Sequence, residues 1–398
     1  MASLYNERYT IGITIEGKDL DSAPSNYSFI MKDSINSLLP TAMITFKDLT
    51  GQFNEYLSFT NGVKINITYG DKDSTIKCPY VVMRNSTPEQ IKPDNAGGLI
   101  EIPLIHEYLY YQSKQSTAFK DEISNIIKNK VKKYSFNSIN IDSTLNKGIW
   151  YQPYLTDIDF MTKILMPFPY SSDSENSPYY LFIDSNNDFY FKSYKKLFID
   201  ANPVQTMILV PNTTLDTLKK NTFSIFNSTQ LSIMDIKDQL HRLLFNFDKD
   251  DTYQDVQDYI SDYPKSVTDA KYIPITWKID NITYVGELLS YDIDVDNTKN
   301  NNLGLMNNSM KIAYGLDKVI LITNVNTNLR SGKKLEIKVP TGKDSKQTDT
   351  SQRYSGDYLI ETAYHKWTGS MGKTILVASR ESIKLSDNYS RSSILITR

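Results

Sequence analysis

The sequence predicts an α+β chain that is mainly β: two similar β-domains with an α/β segment between them. Three observations predict it. Short runs that alternate apolar and polar residues, separated by Gly, Pro and Asn, fill both ends of the chain, and this period of two is the mark of half-buried strands. The phrase Gly62-Val63-Lys64-Ile65-Asn66-Ile67-Thr68 returns as Gly332-Lys333-Lys334-Leu335-Glu336-Ile337-Lys338: glycine, any residue, lysine, apolar, polar, isoleucine, polar. Between the two copies the apolar spacing changes to a helical one.

The first β-domain reads as strands over 9–16, 26–31 and 39–48, then 62–68, 78–83 and 99–104. That is enough strands to curl into a barrel or sandwich. The second copy repeats the last four. Ala42–Phe46 corresponds to Val319–Thr323, and Pro79–Met83 to Asp357–Glu361. Leu99–Leu104 corresponds to Thr374–Ala378. Several elements in the same order argue for an internal duplication.

In the middle, Phe119, Ile123, Ile126, Ile127 and Val131 have helical spacing and predict a helix over 119–132. A second helix is expected over 156–166, with Thr156 as N-cap, Asp157 and Asp159 in the first turn, and Pro167 as its stop. Residues 179–184 and 188–193 read as a hairpin about Ser185-Asn186-Asn187. Further on, 221–228 reads as a strand and 232–247 as a helix. The Asn-rich, acidic stretch 248–303, with strands near 273–279 and 283–293, reads as an insertion in the second β-domain. A short helix is expected over 308–315.

Composition narrows the function classes. The 398 residues suffice for two or three domains, and 40% hydrophobic with 23% charged residues is ordinary for a globular protein. The net charge of −2 supplies no strong field toward DNA or an anionic membrane. The single cysteine, Cys78, makes no internal disulfide. No signal-peptide core and no run long enough for a membrane span is expected. The 28 tyrosines suit half-wet strands and interfaces.

Each catalytic or metal-binding pattern has a simpler reading. His106, His241 and His365 are far apart, with no metal-ligand spacing, and read as surface residues of strands or helices. Asp292, Asp294 and Asp296 open like a calcium loop, but Asn297 and Leu303 stand where glycine and glutamate belong, so an edge strand fits better. Gly372-Lys373-Thr374 ends like a phosphate loop, yet Trp367 replaces its first glycine and the context is a hairpin. Asp157 and Asp159 read as capping acids before a glycosidase pair. The run Phe191–Lys196 reads as a solvated basic face. No catalytic residue, cofactor or metal is expected.

Ser28-Phe29-Ile30-Met31-Lys32-Asp33-Ser34 followed by Met43-Ile44-Thr45-Phe46-Lys47-Asp48 forms the opening strands. Phe119–Ile127, Trp150, Asp159-Phe160-Met161 and the hairpin Phe182–Tyr190 form the middle. Leu329, Gly332, Gly356-Asp357-Tyr358-Leu359-Ile360, His365 and Thr374-Ile375-Leu376 form the close. In this order the chain resembles the central baseplate hub proteins of contractile-tailed bacteriophages, which are related to the hub part of type VI secretion spike proteins. The likeness runs over about 9–385, and 248–303 departs from it.

That resemblance implies two tube-type β-barrels, at 1–107 and 216–386, flanking an α/β domain at 108–215, with a tail at 387–398. It implies a structural, non-enzymatic virion protein of the tail baseplate, made in the host cytoplasm. As a homotrimer it would form a pseudo-sixfold ring, which joins a hexameric tail tube to a trimeric spike and leaves a channel for DNA. Implied partners are tube, spike and other baseplate proteins; DNA passes without sequence-specific binding. The chain ends soon after the second barrel, so a separate spike protein is expected. Ile394, Leu395 and Ile396 are the candidate spike contact, by adding a strand to that partner. Two alternatives stay open: a carbohydrate- or receptor-binding β-protein, and a cell-wall-degrading enzyme using Asp157 or Asp159.

Overall fold

A computed structural model describes residues 9–19, 27–48, 61–71, 74–83, 98–145, 147–169, 178–208, 224–230, 246–250, 275–279, 282–287, 311, 317–339, 355–369 and 371–380. It is mainly β. The first run of strands is β1 (Tyr9–Ile15), β2 (Lys18–Asp19), β3 (Tyr27–Ser34), β4 (Thr41–Asp48), β5 (Lys64–Asp71), β6 (Thr75–Val82) and β7 (Gly98–His106). The middle holds β8 (Gln115–Glu122), β9 (Ser138–Ile141), β10 (Lys147–Leu155), β11 (Tyr179–Ile183) and β12 (Asp188–Ser193). Then follow β13 (Gln205–Ile208), β14 (Ser224–Gln230), β15 (Asn246–Asp250), β16 (Ile275–Ile279) and β17 (Ile282–Glu287). The last four are β18 (Asp317–Thr323), β19 (Lys334–Lys338), β20 (Gly356–Trp367) and β21 (Gly372–Arg380).

The chain divides into two units. One comprises 1–196, 322–332 and 361–376; the other comprises 197–321, 333–360 and 377–398. In the first, strands neighbour one another in the order β2-β1-β5-β6-β7-β4-β3, with the C-terminal half of β20 on β3. Their inward positions make one core, including Phe29, Met31, Ile44, Ile65, Ile67, Tyr69 and Tyr80. A second core in the same unit belongs to the middle segment. The helix Ile123–Val131 contributes Ile123, Ile126, Ile127 and Val131 to it, and Phe160, Leu181, Phe189 and Phe191 pack against them. In the second unit, β13 lies parallel to β19, β19 pairs antiparallel with the start of β20, and β15-β17-β16 forms a separate sheet.

The repeated phrase carries a repeated strand order. β4-β7-β6-β5 are neighbours in the first copy, and β18-β21-β20-β19 are neighbours in the second. The register matches as well. Lys64, Ile65 and Asn66 face Val81, Tyr80 and Pro79; Lys334, Leu335 and Glu336 face Leu359, Tyr358 and Asp357. The amide of Val82 donates to Val63 O at 3.0 Å, and its counterpart Ile360 donates to Lys333 O at 2.9 Å. The leading glycines match too: Gly62 has φ 87° and Gly332 has φ 76°, a left-handed turn that costs other residues energy. Sequence alternation fixes which face is buried, and the equal register adds an independent match between the two copies.

Two expectations need correction. The helix predicted over 119–132 starts at Ile123; 115–122 is strand β8, in which Phe119 faces Trp150 of β10. Phe119 fits either period, and its pairing partner decides. The element at 156–166 is a three-residue α-turn, Asp157–Asp159, that widens into a π-helix, Phe160–Leu165. Thr156 caps it as expected, its Oγ1 accepting the Asp159 amide at 3.0 Å. The hairpin at 179–193, the strand at 224–230 and those at 275–279 and 282–287 are present. Strand β15 covers 246–250, where the sequence suggests the end of a helix. The rest of that helix, the acidic run at 292–303 and the tail at 387–398 lie outside the described residues. Of the short helix expected over 308–315, only Lys311 is described, in a helical conformation.

Candidate functional site

The most elaborate constellation of side chains surrounds the turn between β11 and β12, in the first unit. Asp184 Oδ1 accepts the amides of Asn186 at 2.9 Å and Asp188 at 3.1 Å, so the carboxylate shapes its own turn. Asn187 takes a left-handed φ of 59°, which asparagine tolerates better than most residues. Its Oδ1 meets His106 Nε2 at 2.9 Å, and its Nδ2 donates to Ser135 O at 3.0 Å. From β3, Asp33 Oδ2 accepts the Ser185 amide at 2.9 Å and the Ser331 amide at 3.4 Å. Arg330 approaches Asp184 at 3.2 Å and Asp188 at 3.6 Å. The turn is thus gripped from the first copy of the repeat, through Asp33 and His106, and from the loop leading into the second, through Arg330 and Ser331. Next to it, the Phe182 ring lies where a side chain on Gly332 would have to stand.

Burial dominates the electrostatics. Asp33, Asp184, His106 and His365 are all at most 2% exposed. Desolvation pushes Asp184 up to about 7, although Arg330 pulls the other way. Desolvation also holds His106 down to about 4, despite its bond to Asn187. It holds His365 down to about 3, helped by the nearby positive charge of Arg330. The structure therefore corrects the expectation for two of the three histidines. Neither is a surface residue: His365 takes an inward position of β20 between Ala363 and Trp367. His241 lies outside the described residues.

Asp157 and Asp159 are each engaged in separate ion pairs. Asp157 is buried between Lys130 Nζ at 2.7 Å and Lys133 Nζ at 2.6 Å, with Gln152 Nε2 at 3.2 Å. Burial opposes its charge, but the donated hydrogen bonds outweigh that and keep its carboxyl below the usual range. Asp159 is bound by Lys163 at 2.7 Å and by the Thr156 hydroxyl at 2.8 Å, which also lower it. Neither acid is held protonated at neutral pH, the state a general acid needs. Asp159 serves the cap, as expected; Asp157 anchors a buried ion pair instead. Gly372-Lys373-Thr374 opens β21, and Thr374 Oγ1 accepts the amide of Asn326 at 3.1 Å. Cys78 is buried, and desolvation raises its thiol. Among the described residues, no group of three or more His, Cys, Asp or Glu side chains is arranged to hold a metal ion. No helix among them is long and apolar enough to cross a membrane.

No family model matches the chain. No curated protein matches it either. Solved structures do. A 43 kDa tail protein of prophage MuSo2 from Shewanella oneidensis aligns with a TM-score of 0.50 and 9% identity, over 94% of this chain and 98% of that one. The chain has the fold of a phage tail protein. Similar to it as well is a tail protein from Neisseria meningitidis, with a TM-score of 0.47 and 8% identity over 94% of this chain and 97% of that one. So is an Escherichia coli component of the type VI secretion system, itself described as similar to T4 bacteriophage tail proteins, at TM-score 0.44 and 10% identity over 95% and 78% of the two chains. The neighbours are of the kind the sequence resemblance names.

On this tail-protein fold, exposed apolar side chains are concentrated. Seven of the twelve exposed large hydrophobics among the described residues fall within 110–154. The two-stranded ribbon β8–β10 turns Ile149 and Tyr151 outward at 57% and 65% exposure, and Tyr154 follows at 67%. Two strands alone are marginal in water, and aromatic side chains presented this way suit a protein interface. The sequence reading found Tyr abundance but missed β10, whose alternation breaks where Tyr154 takes φ 52° and the register shifts between Gln152 and Leu155.

The buried histidines predict acid sensitivity. Each has a folded pKa below its unfolded value, so it contributes stability that is complete above about pH 6.5 and is lost as the pH falls through the folded value. For His106 the loss runs from about pH 6.5 to about 4 and is on the order of 3 kcal/mol. Thermal melts from neutral to mildly acid pH should show a falling midpoint, and His106→Gln should fall less steeply than the unmodified protein.

Proposed function

We propose that the chain is a baseplate central hub of a phage tail, a structural protein without catalytic activity. The observation that carries this reading is the duplicated ladder: the same four-strand order and the same register in two copies, on a tail-protein fold aligned over 94% of the chain. A chain with two like β-domains can close as a homotrimer with six like units, which matches a hexameric tube on one face and a trimeric spike on the other. We assign 1–107 and 216–386 to the two tube-type barrels, 108–215 to the α/β domain and 387–398 to the tail. The assembled ring sits in the virion baseplate, contacts tube, spike and other baseplate proteins, and leaves a channel through which DNA passes without specific binding.

Negative-stain class averages of the purified protein bound to its spike test this reading. A ring with six similar lobes is expected; particles without such symmetry would contradict it. The segment Ile394, Leu395 and Ile396 is assigned to spike contact. Deleting the residues after Leu385 should abolish co-purification of spike while leaving the melting midpoint unchanged; full retention of the spike would refute this assignment. The exposed tyrosines at 151 and 154 support one second reading, a carbohydrate- or receptor-binding surface. Binding on a glycan array that is lost in Tyr151→Ala would favour it.

A further inference from the structure

One carboxyl of the turn junction is left out of its ion pairs. Arg330 faces Asp184 and Asp188. Asp33 takes two backbone amides on Oδ2, while its Oδ1 is sealed from water with no partner within bonding geometry. An ionised carboxylate with a dry, unbonded oxygen is costly in a protein interior, and the neutral acid is not. The Ser331 hydroxyl is also sealed and without a bonded partner, and the Ser185 hydroxyl is sealed beside the carboxyl; both belong to the residues whose amides bind Asp33. A proton on Oδ1 makes it a donor, and serine oxygens are suitable acceptors.

Among the described residues, the groups that act on this site offer no second positive charge. From the hairpin come Asp184, Asp188 and Tyr190, from the loop after β18 Arg330, from β20 His365, and from β6 Cys78 and Tyr80. His365 is held neutral, and burial keeps Cys78 and Tyr80 protonated. Three carboxyls therefore share one guanidinium.

We propose that Asp33 is kept as the neutral acid in the folded protein and makes the turn junction a proton-dependent latch, tight while Asp33 holds its proton and loosened when it is lost. Desolvation raises Asp33, outweighing the two amides, Arg330 and the Ser185 hydroxyl, all of which pull the other way. A raised carboxyl binds its proton more tightly when folded, so its contribution is greatest in acid and declines as the pH rises from about 3.9 toward the folded value. Asparagine reproduces the neutral acid and has no proton to lose.

The test is a carbon-13 NMR titration of the aspartate carboxyls in the full chain, with thermal melts of Asp33→Asn. One carboxyl should keep its protonated shift through neutral pH and be missing from Asp33→Asn. Asp184→Asn separates it from the Asp184 signal. The melting midpoint of Asp33→Asn should gain on the unmodified protein as the pH rises. Ionisation of every aspartate in the acid range, or an Asp33→Asn protein that loses ground as the pH rises, would overturn the proposal. If Asp33→Asn does not fold, the amide protons of Ser185 and Ser331 in Asp184→Asn, which lacks the neighbouring carboxyl that itself titrates at about 7, still decide. A shift step at neutral or alkaline pH supports the latch, and a step confined to acid contradicts it.

Discussion

Gly332→Ala is expected to destabilise the protein by about 2–5 kcal/mol. Two costs combine. The residue has φ 76°, a conformation that costs an L-residue about 1–2 kcal/mol. Its new methyl would also collide with the Phe182 ring, which is fully buried; overpacking of this kind adds about 1–3 kcal/mol. The matched glycine is a built-in control. Gly62 has a similar φ of 87°, and a methyl there meets Tyr110, but Tyr110 is 54% exposed and free to swing away. Gly62→Ala should therefore cost only about 1–2 kcal/mol. Denaturant unfolding of both variants measures the difference. Equal losses would mean that the Phe182 contact does not constrain Gly332.

Arg330→Met should cost about 3–5 kcal/mol, because it leaves Asp184 and Asp188 without their guanidinium in a buried site. The loss should be smaller when Asp184→Asn is made in the same chain, since the unpaired charge is then removed. A double-mutant cycle gives the coupling directly. A coupling near zero would show that Arg330 acts by packing alone. Because Asp184 is pushed up to about 7, the penalty of Arg330→Met should also grow from mildly acid to alkaline pH, as the carboxyl loses its proton.

Much of this architecture is legible in the sequence, for identifiable reasons. Alternation in stretches such as Lys64–Asp71 and Lys334–Lys338 fixes both strand and buried face, and the Gly-x-Lys phrase exposes the duplication. The helix at 123–131 shows its stripe, but its start is ambiguous because Phe119 satisfies a strand pattern equally well. The ribbon strand β10 is not legible: Gly148, Pro153 and the kink at Tyr154 break its period.

The junction is hidden for a different reason. Asp33, Asp184, Arg330 and His365 meet only in the folded chain, and nothing local links them. A signal does exist. Asp33 occupies the inward phase of β3 after Tyr27, Phe29 and Met31, and His365 the inward phase of β20 between Ala363 and Trp367. A charged or titratable residue on a core-facing position demands a partner. Strands read for such exceptions, besides their alternation, mark both residues.

Light scattering of the purified protein, alone and mixed with its spike, tests the hub assignment most directly. The account predicts a mass of three copies, or a complex of three hub chains with three spike chains. A particle that stays monomeric with the spike present would contradict it, and would leave the duplicated ladder without a role in assembly.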